Sequence, residues 1–76
     1  MRILIVEDER PAVAKLRAAL VATDLEVEVV GVAESVRSAV EWLGQNPHPD
    51  LILADIQLTD GTSFQIFERA PVTCPV

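Results

Sequence analysis

Seventy-six residues allow at most one small domain, and a chain of this size buries only about 60 to 65% of the surface its unfolded state exposes. Half of the residues are hydrophobic, which suits a globular fold and argues against disorder, while a net charge of -6 with six scattered basic residues argues against a nucleic-acid surface. The single Cys74 excludes an internal disulfide, and no apolar run approaches the roughly 20 residues of a membrane helix, so a soluble, cytoplasmic chain is expected.

The apolar period alternates between strand and helix along the chain. Arg2 to Val6 is an unbroken apolar run of the kind found in strands covered on both faces. Pro11 fits a first helical turn, and Val13, Leu16 and Leu20 recur at helical spacing, which predicts a helix over 10–23. Glu26 and Glu28 alternate with Val27 and Val29, which predicts an edge strand over 26–32. Ser35 can cap a second helix over 35–45, whose stripe is Val36, Ala39, Val40 and Leu43. Trp42 lies off that stripe and is expected to be partly exposed. His48, between two prolines, is expected in a surface loop. Leu51 to Ala54 is a third strand. After an Asp60-Gly61 turn, Thr62 and Gln65 have capping-box spacing, which predicts a helix over 62–70 with Phe64 and Phe67 in the core; Pro71 stops it. Pro75-Val76 reads as the first residues of a fourth strand. The order is α/β, with a parallel sheet and right-handed crossovers.

In such a sheet, ligands bind beyond the carboxyl ends of the strands, where the strand order reverses. Two acidic groups fall at such ends: Glu7-Asp8-Glu9 after the first strand and Asp55 after the third. Glu9 is most simply an acid favoured by the helix dipole. Glu7, Asp8 and Asp55 brought together would repel one another unless a proton or cation intervenes. Mg2+ is the cation such a set fits, because it takes oxygen ligands from one or two carboxylates and completes its shell with water and phosphate oxygens. With it in place, a carboxylate can attack phosphorus to give an aspartyl phosphate. Asp55 is the candidate nucleophile.

Two other readings of the 55–62 stretch fail. Asp60-Gly61-Thr62 suggests a haloacid-dehalogenase-type phosphatase, but Leu58 stands where that motif needs its nucleophilic Asp. A calcium loop starting at Asp55 needs Gly at its sixth position, and Gly61 comes one residue late.

Ile3-Leu4-Ile5-Val6-Glu7-Asp8-Glu9, followed by Asp50-Leu51-Ile52-Leu53-Ala54-Asp55-Ile56-Gln57-Leu58-Thr59-Asp60-Gly61, resembles the receiver (phosphoacceptor) domain of two-component response regulators. The wording around Asp55 is similar to receivers joined to LytTR-type DNA-binding domains. The resemblance implies a flavodoxin-like fold with strands in the order 2-1-3. It implies that Asp55 is the phosphoacceptor, that Asp8, Asp55 and the backbone carbonyl of Gln57 ligate Mg2+ directly, and that Glu7 acts through water. The donor it implies is a sensor histidine kinase or a small acyl phosphate, and the domain is a phosphoacceptor rather than an enzyme. Two departures are mild: Glu7 stands where many receivers have Asp, and Thr59 where many have Pro. A third concerns length, since a receiver continues beyond this stretch and carries a Ser or Thr, an aromatic and a Lys on later strands; Lys15, on the first helix, cannot take that last role. On this reading the chain is a receiver truncated after three βα units. Its third strand is an open edge, and the chain is expected to self-associate there as a homo-oligomer. The competing reading is a self-associating interaction module without phosphotransfer.

Overall fold

The computed structural model describes residues 1–23 and 26–70. Chain order is β1 Arg2–Val6, α1 Arg10–Val21, β2 Glu28–Ala33, α2 Val36–Gln45, β3 Leu51–Ala54, β4 Gln57–Leu58, β5 Gly61–Thr62 and α3 Phe64–Arg69. β1 lies at the centre of a three-stranded sheet of order β2-β1-β3, parallel to both neighbours. That is the order expected of a receiver, and the architecture is α/β. The expected fourth strand at Pro75-Val76, and Cys74 beside it, lie outside the described residues.

The central strand is apolar from Ile3 to Val6 because it is covered on both faces: Ile3, Leu4, Ile5 and Val6 are all buried. Leu4 and Val6 join Ile52, Ala33 and the α2 stripe of Val36, Ala39 and Leu43 in one core cluster, to which Leu58 and Ile66 also belong. By the two-residue alternation of a strand, Ile3 and Ile5 face the opposite way. α1 is the less firmly seated helix. None of its residues is buried, and its stripe of Val13, Leu16 and Leu20 is only half covered. Leu16 shares a groove with Leu53 and Ala54 on one flank, while Leu20 shares another with Val27 and Val29 on the other.

Polar groups fix the amino ends of the strands. The Arg2 amide donates to the Asp50 carboxylate at 2.7 Å, and the Asp50 amide donates to the Arg2 carbonyl at 2.8 Å. The Arg2 guanidinium donates to the carbonyl of His48, which is thereby part of this clasp as well as a loop residue.

β2 begins two residues later than its alternation suggested. Its register against β1 slips between Ile3 and Leu4, passing from Val29 to Gly31, which is the signature of a bulge. Gly31 lies under Trp42, and a Cβ there would come within 2.5 Å of the indole nitrogen. The ring therefore packs on β2 while staying half exposed, as its position off the stripe implied.

The largest departure from expectation is at residues 57–62. These turn back on themselves as an antiparallel ribbon, Gln57 opposite Thr62 and Leu58 opposite Gly61. Thr62 is thus a strand residue and cannot open a helix. α3 starts at Phe64, its preceding residue Ser63 makes no side-chain cap, and the Thr62–Gln65 capping box does not form. Gly61, at φ 146, is the one residue in the described chain with positive φ, and the Gln65 side chain packs where its Cβ would stand. Phe67 packs on the core as expected, whereas Phe64, the first residue of α3, is 59% exposed.

Candidate phosphoacceptor site

Strand register builds the site. Val6 is level with Ala33 on one side and Ala54 on the other. The ladders continue one step past the strands, with the Glu7 amide donating to the Ala33 carbonyl and the Asp55 amide to the Val6 carbonyl, both at 2.9 Å. Glu7-Asp8 and Asp55 are therefore held side by side at the carboxyl edge of the sheet. One carboxylate oxygen from each of Glu7, Asp8 and Asp55 lies within 4.8 Å of the others, with Asp55 the most exposed of the three. Sequence reasoning named all three.

The electrostatics are those of an unneutralised cluster. Burial pushes the Glu7 carboxyl up, and the charges of Asp55 and Asp8 push it the same way; the Glu9 amide, donating to Glu7 Oε1 at 3.2 Å, opposes them. Arg10 and Arg17 share a groove with Glu7 and Asp8, yet among the described residues no Lys or Arg forms an ion pair with the three acids. The donor set is all carboxylate oxygen, which fits a hard dication such as Mg2+ and not a metal preferring nitrogen or sulfur.

The sign of the Glu7 shift gives a testable consequence. Its proton is held more firmly in the folded chain than in the unfolded one, so folding takes up protons just above the ordinary glutamate range. Stability therefore falls as pH rises through that window. Glu7→Gln should flatten this part of a thermal-melt series against pH, and Mg2+ should flatten it in the unaltered protein. A pH profile identical in Glu7→Gln would contradict the assignment.

Gln57 follows at the start of β4, two residues beyond Asp55. The other wall of the mouth is polar: Asp8, Glu34, Ser35, Ser38 and Thr59 line a groove together with Val32. One feature at this wall had no sequence signal. Asp60 reaches across to α2, where its two oxygens accept the amides of Val36 and Arg37 at 2.8 and 3.1 Å. In the sequence Asp60 is only the first residue of an Asp-Gly turn, and its partners lie 24 and 23 positions away.

Comparison with known proteins agrees with this geometry. The family model described as the response regulator receiver domain matches residues 3–71. The chain is 41% identical over 66 residues to the sensory transduction protein LytT of Bacillus cereus, covering 87% of this chain and 26% of LytT, and equally to that of Bacillus anthracis. It is 49% identical over 61 residues to the phyllosphere-induced regulator PhyR of Methylorubrum extorquens, covering 80% of this chain and 22% of PhyR. The chain thus spans about a quarter of the length of these relatives. No solved structure matches it significantly. With the family match running from β1 through α3, the sheet in the order β2-β1-β3 and the acidic cluster at its carboxyl edge, the chain belongs to the response-regulator receiver domain family of two-component signalling.

Proposed function

We propose that this chain receives a phosphoryl group on Asp55 from the phosphohistidine of a sensor kinase, or from a small acyl phosphate, in a Mg2+-dependent step. The observation that carries the reading is the meeting of Glu7, Asp8 and Asp55 within 4.8 Å, with no ion pair to a basic side chain among the described residues. Asp8, Asp55 and the Gln57 carbonyl would hold the ion directly, and Glu7 would hold it through water. When bound, the ion supplies the positive charge that lets a phosphoryl group approach three carboxylates. Asp55, the most exposed of the three, presents a carboxylate oxygen to phosphorus. The new O–P bond forms as the P–N bond of the donor histidine, or the P–O bond of an acyl phosphate, breaks. The electron pair of that bond leaves with the donor. This is acceptor chemistry and not turnover, so the chain is not read as an enzyme.

Beryllium fluoride, a phosphoryl mimic, provides the test. With Mg2+ it should shift the amide NMR signals of residues 7, 8 and 55–57, and those shifts should vanish in Asp55→Ala. Unchanged spectra in the parent protein would contradict the proposal. A cytoplasmic setting suits the proposed kinase partner, and among the described residues no helix is long and apolar enough to cross a membrane.

A second part of the proposal concerns self-association. Among the described residues β3 pairs on one side only, with β1, and its Leu51, Leu53 and Ala54 are incompletely covered. The uncharged edge that β3 presents among the described residues is a template for another strand, so two copies of this 76-residue chain should pair there. Light scattering should show dimers increasing with concentration. A monomer at every concentration would exclude it.

A further inference from the structure

Helix α2 is capped twice, once by its own sequence and once from the loop that carries the acceptor. Its Ser35 Oγ accepts the Ser38 amide at 3.0 Å, while Ser38 Oγ accepts the Ser35 amide in return, a complete capping box. The amides of Val36 and Arg37, which have no intrahelical partner, are taken by Asp60. All three donors of the first turn are thus satisfied, two of them by a residue from the far side of the site.

The same loop is held at three other points. Its base is closed by the Ser63 amide donating to the Ile56 carbonyl at 2.9 Å, beside the Asp55 amide bonded to Val6. Its middle is anchored by Leu58, buried in the core cluster. Its return passes through Gly61 at positive φ. Asp60, at the tip of the β4–β5 ribbon, is the only one of these anchors that spans the mouth, joining the loop after β3 to the junction after β2. The Asp60 carboxyl is held below the usual carboxylate range by the Val36 amide first and the Arg37 amide second, which accords with an ionised group seated on a helix end.

We propose that Asp60 is a positioning residue of the acceptor site: seated on the first turn of α2, its carboxylate fixes the loop from Asp55 to Gly61, and with it the Gln57 carbonyl, opposite Glu7 and Asp8. This rests on the reading that the acidic cluster holds Mg2+. Ser35 supplies the comparison, because it caps the same helix end through hydrogen bonds to Ser38 and none to Asp60.

The test compares Asp60→Ala, Asp60→Asn and Ser35→Ala with the unaltered protein, titrating Mg2+ by amide NMR and following hydrogen exchange at Ser63. Asp60→Ala should raise the Mg2+ dissociation constant about tenfold, the usual loss when an outer partner of a metal ligand is removed, and should speed exchange at Ser63. Asp60→Asn keeps one of the two acceptor oxygens and sets an NH2 against the second amide, so both readouts should fall between those of Asp60→Ala and the parent. Ser35→Ala should weaken α2 and move both readouts far less than Asp60→Ala does. The proposal is overturned if Asp60→Ala binds Mg2+ as tightly as the parent, or if Ser35→Ala loses as much affinity, since the effect would then be one of helix stability. A parent protein that shows no Mg2+ response contradicts the metal site itself. In that case Ser63 exchange still decides the loop's fixing: acceleration in Asp60→Ala alone upholds it, and unchanged exchange overturns it.

Discussion

Asp8→Ala should cost the site its cation while leaving the fold intact or slightly firmer. Asp8 is half exposed just beyond β1 and sits against the like charges of Glu7 and Asp55, so its removal relieves repulsion within the cluster. The same removal takes a unit charge from beside a dication. Even with the full screening of bulk water, a separation of about 4 Å makes that worth about 2 kcal/mol, or roughly thirtyfold in the dissociation constant. Calorimetric Mg2+ titration and a thermal melt on the same sample should therefore move in opposite directions. A variant that binds Mg2+ as the parent does would remove Asp8 from the ligand set. Opposed stability and function of this kind are what a built acidic site entails.

The second large effect is expected in the core. Leu4 is fully buried on the central strand, where it packs with the α2 stripe and Ile52. Truncating it to Ala should cost about 2 to 5 kcal/mol from lost transfer and the cavity left behind. A domain of this length has a total stability of only about 4 to 11 kcal/mol, so Leu4→Ala should lose much of its folded population. The urea midpoint should fall with an unchanged slope. Val21→Ala, at a site 84% exposed on α1, should stay within about 0.5 kcal/mol of the parent. A Leu4→Ala midpoint equal to that of Val21→Ala would show that β1 is not the centre of the core.

How much of this could be read from the residues depends on the range of the interactions concerned. β1, α1, α2 and β3 announce themselves because local apolar period and burial coincide in them. Ser35 as the α2 cap is equally local. The acidic cluster was legible for a related reason: a parallel sheet follows from the alternation and the order 2-1-3 from the receiver resemblance, and once Val6 is level with Ala54 the acids beyond them must meet. The ribbon of β4 and β5 was not legible, since two-residue strands carry no period. A Thr-x-x-Gln spacing then read as a capping box where the chain was in fact completing a hairpin. Phe64 lies in the same stretch and is exposed at the first position of α3, where Ile66 takes the buried place in the core. The β2 bulge under Trp42 and the Asp60 clasp depend on partners far along the chain, which no window of sequence contains.

The proposed transfer to Asp55, with Glu7 and Asp8 holding Mg2+ beside it, leaves a covalent adduct. It is tested most directly by the intact mass of the protein after incubation with a small acyl phosphate, with and without Mg2+, for the parent and Asp55→Asn. A single phosphoryl adduct is expected that requires Mg2+, maps to the peptide containing Asp55 and is absent from Asp55→Asn. An adduct of equal yield in Asp55→Asn, or one indifferent to Mg2+, would contradict it.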